Sequence, residues 1–120
     1  RMTGTDLPSD LIARGRCVKA AATTGTILLK GPVDIISDGV RVRFNRTGAP
    51  AMTAGGTGDL LAGITGALFC QLPAFEAASI AAYVCGRAGM RAAEERGNGL
   101  IATDMLEYIP DELFRERSPE

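Results

Sequence analysis

The 120-residue chain carries 13 Lys and Arg against 14 Asp and Glu, and only 5% of it is aromatic, which argues against the basic, base-stacking surface of a nucleic-acid binder. Histidine is absent, so a Ser-His-Asp triad, a Cys-His pair and a histidine-ligated metal are all excluded within these residues. Three cysteines without a C-x-x-C fit neither a disulfide framework nor a zinc ribbon; Cys17, Cys70 and Cys85 lie in apolar sequence and are expected to be buried, reduced thiols in a cytoplasmic protein.

One domain, or part of one, is the expectation at this length. Residues 1–16 are polar and charged, unlike a secretory signal, and Arg1 ahead of Met2 suits a processed end, an expression remnant or a fragment. Residues 9–22 predict a helix capped by Ser9, with Gly15 weakening it. Residues 26–29 (TILL) read as a short buried strand stopped by Lys30-Gly31-Pro32. VDIIS (33–37) and VRVRFN (40–45) flank Asp38-Gly39, the signature of a two-residue hairpin turn with positive φ at both positions. In the second strand, Val40, Val42 and Phe44 alternate with Arg41, Arg43 and Asn45, which predicts one buried face and one wet face.

Residues 46–58 read as a loop. From Thr57 to Gln71 the apolar residues cover most of a helical circumference, which predicts a buried helix. Its longest apolar run, Leu60 to Phe69, is short of the roughly 20 residues that span a bilayer, so no membrane partner is expected. Gly63 and Gly66 would each cost about 1 kcal/mol relative to Ala, and are expected where another backbone approaches closely. Pro73 restarts the chain into an alanine-rich helix over 74–96, stopped by Gly97-Asn98-Gly99. Thr103 is expected to cap a short helix, with a loose charged tail after Pro110. The element order predicts an α/β layered unit.

The stretch AMTAGGTGDLLAG (51–63) carries the chemistry. It is not a Walker loop, since G-x-x-x-x-G-K-[ST] does not occur. Nor is it a dinucleotide fingerprint, since Gly56, Gly58 and Gly63 are wrongly spaced and no strand leads in. A glycine-rich loop entering a helix nevertheless presents backbone N–H groups and the positive end of the helix dipole to an anion. Gly55, Gly56 and Gly58 let that backbone approach a phosphate, and Thr57 lies among them. Asp59, at the same helix start, is either a cap or a base. With a phosphate donor beside it, like-charge repulsion would ready it to accept a proton from a substrate hydroxyl.

NRTGAPAMTAGGTGDLLAG (45–63), with LLKG (28–31) upstream, resembles the C-terminal YjeF-type domain, the ADP- or ATP-dependent NAD(P)H-hydrate dehydratases of the ribokinase-like superfamily. The resemblance runs from about Ala20 to Pro110. It implies the C-terminal part of a three-layer α/β/α ribokinase-like fold over 1–120, with a β-hairpin and a buried helix after the GGTGD loop. It implies dehydration of hydrated NADH or NADPH: ADP or ATP, usually with Mg2+, phosphorylates the added hydroxyl, and loss of phosphate restores the dinucleotide. ADP is the expected donor. Asp59 would act on the hydroxyl, while Gly56 and Gly58 hold phosphates. Lys30, Gly31, Pro32, Val33 and Asp34 would lie along the nucleotide. The segment from Asn45 to Gly56, with Thr47, Gly48 and Gly55, would complete the site. Read without the resemblance, Lys30 is a solvated strand end, and the Asn45-Arg46-Thr47 glycosylation pattern is a chance match in a cytoplasmic protein.

Two departures from the family accompany these residues. Cys85-Gly86-Arg87-Ala88-Gly89-Met90 stands where the family often has H-G-x-A-G-D. The family's N-terminal half has no counterpart here, so a piece of a longer chain, or self-association, is expected. Two other readings stay open: a small-molecule kinase of the same superfamily, and a nucleotide-binding half-domain without catalysis.

Overall fold

The computed structural model of the chain describes residues 10–53 and 55–114. Helix α1 covers Leu11–Ala21. Asp10, rather than Ser9, is its cap: an Asp10 carboxylate oxygen accepts from the Ala13 N–H at 2.9 Å, whereas Ser9 lies outside the described residues. Three strands follow, β1 Ile27–Leu29, β2 Asp34–Ser37 and β3 Val42–Asn45. They form one antiparallel sheet in the order β1-β2-β3. Central β2 is buried along its whole length, and Ile35 and Ile36 are sealed on opposite faces. Strand β1, at the edge, is only half-buried, contrary to its apolar composition.

Ser37 pairs with Val42, so residues 38–41 close the hairpin, not two residues. Only Gly39 there has a positive φ, 94°. The Asp38 carboxylate accepts from the Val40 and Arg41 N–H groups at 2.9 and 2.8 Å and pairs with the Arg41 guanidinium at 2.8 Å. An acid that bonds its own following backbone closes this longer loop with Gly39 as its one left-handed residue. The N–H groups of Arg41 and Val40, then the Arg41 guanidinium, hold this carboxyl well below the usual carboxylate range.

Helix α2 spans Thr57–Phe69 and α3 spans Ala74–Arg96, the latter with the bounds that Pro73 and Gly97 predict. Short helices α4, Ala102–Met105, and α5, Ile109–Phe114, complete the described residues. The sheet lies between α1 and α3. On the α1 side, a methyl placed on Gly15 would fall 2.8 Å from the Phe44 ring. On the α3 side, the Arg43 guanidinium lies 5.0 Å from the Phe75 ring centre, and Asn45 Nδ2 donates to the Ala82 carbonyl at 3.1 Å. Of the expected wet face of β3, Arg41 and Arg43 are exposed as expected and only Asn45 is buried under α3, while on the expected buried face Val40 is 79% exposed. The core joins Ile36 to Leu61, Phe75, the α3 alanines, Cys85, Leu100 and Met105.

Five other expectations are corrected. Helix α2 is not buried: only Thr57 and Leu61 are, and Phe69 is 61% exposed. It packs on α3 by one face, and nothing among the described residues covers the other. Gly63 and Gly66 lie on that open side, with nothing within 4 Å of a methyl placed on either. The start of α4 is held by Asp104, whose carboxylate accepts from the Ile101 N–H at 2.9 Å, not by Thr103. Through residue 114 Pro110 does not open a loose tail; it sits in the first turn of α5, where its missing N–H is not needed, and residues 115–120 of the expected tail lie outside the described residues. Glu112 of that helix is 1% exposed, with Arg87 Nε at 3.7 Å and Arg91 Nη1 at 3.5 Å from its carboxylate. Of the cysteines, Cys85 is buried, Cys17 half-buried and Cys70 exposed, because Cys70 follows the open end of α2.

Candidate functional site

The stretch from Asn45 to Gly56 crosses α3 between β3 and α2, and its path is set by a few short bonds. Asn45 Nδ2 donates to Asp34 Oδ2 at 3.0 Å as well as to Ala82. Its Oδ1 accepts from the Thr47 hydroxyl at 2.9 Å, and that hydroxyl also reaches the Tyr83 carbonyl at 3.2 Å. Asp34 Oδ1 accepts from the Gly31 N–H at 3.2 Å. One buried amide thus ties the loop after β1 to the loop after β3. Pro50–Thr53 then forms a 3-10 turn, and the Thr57 hydroxyl donates to the Met52 carbonyl at 2.7 Å, locking that turn to the start of α2.

These bonds surround a cavity of about 740 Å³. Lys30, Gly31, Pro32 and Asp34 line one side; Thr47 and Gly48 line another; Thr57 and Leu61 of α2 and Cys85 and Gly86 of α3 close it. Three separate sequence segments expected to meet around a nucleotide therefore do meet at one hollow. Its volume falls in the ordinary range of small-molecule sites, about 300–1,000 Å³. Lys30 is exposed at the lip, the only cation in the lining among the described residues, while Asp34 is buried. Burial pushes the Cys85 thiol up, against a smaller opposing pull from Lys30.

The remaining expected site residues are placed differently. Asn45 stands behind the wall, joining Asp34 to Thr47 rather than lining the hollow, and Val33 is outside the lining too. Gly55, Gly56 and Gly58 are exposed at the start of α2. Gly56 takes the left-handed backbone that the turn requires, φ 93°, and no side chain caps the helix. The helix N-terminus, with its partial positive charge, is thus presented without a side-chain cap bonded to it. Asp59 is exposed on the first turn of α2. At about 100° per residue it lies on the side of the helix opposite Thr57 and Leu61, which face the hollow. Cavity and carboxylate flank the same helix end.

Ala49, Pro50 and Met52, within the expected Asn45 to Gly56 segment, also line the hollow, whereas Leu61, Ala82, Cys85 and Gly86 do so without having been expected to. The glycine of Cys85-Gly86 was the available signal: a glycine within a long helix marks a close approach. Among the described residues no group of three or more His, Cys, Asp or Glu side chains is placed to hold a metal ion. No helix among them is long and apolar enough to cross a membrane.

The family described as NAD(P)H-hydrate dehydratase matches residues 9–111. Over 118 residues the chain is 52% identical to the bifunctional NAD(P)H-hydrate repair enzyme Nnr of Methanospirillum hungatei JF-1, covering 98% of this chain and 25% of that protein. It is 52% identical over 105 residues to the protein of the same name from Hyperthermus butylicus, covering 83% of this chain and 20% of that one. The ADP-dependent (S)-NAD(P)H-hydrate dehydratase of Cenarchaeum symbiosum is 46% identical over 113 residues, 92% of this chain and 39% of that protein. The chain spans about a quarter of the length of the first two relatives. With the family match running across nearly all of its residues, the chain belongs to the NAD(P)H-hydrate dehydratase family.

Proposed function

We propose that this chain forms the nucleotide-facing part of a ribokinase-like domain that dehydrates hydrated NADH or NADPH, with ADP as the preferred phosphoryl donor. The observation that carries the reading is the hollow of about 740 Å³ between the loop after β1, the loop after β3 and the start of α2. It has the size for a nucleotide. Beside it stand an exposed ammonium, Lys30, and a helix N-terminus without a side-chain cap, both suited to phosphate. The ADP preference is supported by the name of the Cenarchaeum symbiosum relative, an ADP-dependent dehydratase.

When bound, the nucleotide supplies a phosphoryl group to the hydrate's added hydroxyl, and departure of phosphate with loss of a ring proton restores the reduced nicotinamide. The chain's own groups act around that transfer. Lys30 and the N–H groups at Gly56 to Gly58 hold phosphate oxygens where charge builds up. Asp34 and Asn45 keep the two loops at a fixed separation. Asp59, across the helix end, takes the hydroxyl proton, which helps only when donor and acceptor lie within hydrogen-bond reach. Magnesium does not fit a site built from these side chains alone, because no acidic cluster among the described residues is placed for it; it would arrive on the nucleotide's phosphates. The rest of the domain, the other wall of the substrate cleft, would come from further chain or from a partner copy. A cytoplasmic location suits a repair reaction on free dinucleotides.

The test is the return of the reduced-nicotinamide absorbance when hydrated NADH and ADP are mixed with the natural full-length protein. Asp59→Asn should lower turnover by about 10²–10⁴-fold while ADP still binds. Absorbance that fails to return with either ADP or ATP overturns the reading, and phosphorylation of an alcohol without that return assigns a small-molecule kinase instead.

A further inference from the structure

Helix α3 carries two glycines in its middle, Gly86 and Gly89, where alanine would serve the helix better by about 1 kcal/mol each. Both lie directly under the loop that walls the hollow. A methyl placed on Gly86 would sit 2.0 Å from Thr47 Oγ1, 2.7 Å from Thr47 Cβ and 2.7 Å from the Thr47 carbonyl carbon. One placed on Gly89 would sit 2.1 Å from Met52 Sδ and 2.6 Å from Met52 Cγ. Thr47 and Met52 are both in the wall of the hollow. The same loop is bonded to α3 backbone carbonyls, Ala82 through Asn45 and Tyr83 through Thr47.

We propose that Gly86 and Gly89 are positioning residues for nucleotide binding: by offering no side chain, they seat the 45–53 loop directly on α3 and so set the width of the hollow between Thr47-Gly48 and Lys30-Gly31. This rests on reading the hollow as the ADP site. The two glycines act differently. At Gly86 the obstacle includes backbone, so a methyl must push the chain itself outward. Restoring ordinary contact takes the Thr47 carbonyl carbon from 2.7 to about 3.4 Å, a shift of about 0.7 Å in the wall. At Gly89 the three nearest atoms all belong to the flexible Met52 side chain, which can turn aside or be trimmed.

The experiment measures ADP binding by calorimetry and steady-state kinetics on the natural full-length protein. A displacement approaching 1 Å costs up to about 10²-fold, so Gly86→Ala is expected to weaken ADP binding and raise its KM about tenfold. The KM for the hydrate should stay within about twofold, and Thr47→Ala should not rescue, since the backbone contact remains. Gly89→Ala should weaken ADP binding by less, and adding Met52→Ala should return it to the wild-type value. A wild-type protein that does not bind ADP overturns the reading of the hollow and the proposal with it. A wild-type protein that binds ADP, with Gly86→Ala binding it equally well, overturns the proposal alone. If Gly86→Ala does not fold, the Gly89 pair decides: unchanged binding in Gly89→Ala, or no rescue by Met52→Ala, overturns it. Loss of folding in both single variants assigns the glycines to core packing and overturns it as well.

Discussion

Replacing Asn45 by alanine removes the one side chain that joins both loops of the hollow to α3. Its amide donates to Asp34 at 3.0 Å and to the Ala82 carbonyl at 3.1 Å, and its oxygen accepts from the Thr47 hydroxyl at 2.9 Å. A neutral hydrogen bond contributes about 0.5–1.5 kcal/mol net and one to a carboxylate about 1.5–3, so Asn45→Ala is expected to cost on the order of 3–5 kcal/mol. With a urea slope of about 1–3 kcal/mol per molar, the unfolding midpoint should fall by about 2 M. The assay is urea denaturation followed by circular dichroism, with the slope compared to confirm that the native state is otherwise intact. Asn45→Asp adds a sign test. It sets a second carboxylate against Asp34, so folding raises the affinity of the pair for a proton above that of the separated groups in the unfolded chain. The folded state then binds more protons, and the variant's deficit should be largest at neutral pH and shrink as the pH falls through the carboxylate range. A cost below about 1 kcal/mol for Asn45→Ala, or a deficit in Asn45→Asp that does not change with pH, would refute the claim that this amide organises the site.

Two further outcomes follow from burial and charge. Cys70 should react first with a thiol reagent, Cys17 more slowly, and Cys85 last, since it is buried and its thiol is pushed up by that burial; mass spectrometry of timed alkylation reads the order, and early labelling of Cys85 would contradict the packing of α3 against the hollow. Tyr108 is held protonated by its bond to Glu95 and by partial burial, its pKa pushed up to about 12. Raised above its unfolded value, it favours the folded state below pH 10 and loses that contribution as the pH rises through about 12; ultraviolet titration should show its phenolate forming only in that upper range.

Local chemistry determined a good deal of this protein in advance. Pro73 and Gly97 bound α3 because proline cannot continue a helix and glycine ends one, wherever the rest of the chain lies. Thr57 opens α2 for the same kind of reason, and the long glycine-rich motif named the family before any contact was visible. Burial was not legible in that way. The α2 pattern says which side chains are apolar, not whether another element covers them, and only one side is covered among the described residues. Asn45 looked like the wet half of an alternating strand until α3 closed over it. The hairpin loop lengthened because the Asp38 carboxylate met the Val40 and Arg41 N–H groups. The hollow itself belongs to the tertiary structure alone. Its walls come from Lys30, Thr47, Thr57 and Gly86, far apart in sequence, and only close packing of those segments decides the space left between them.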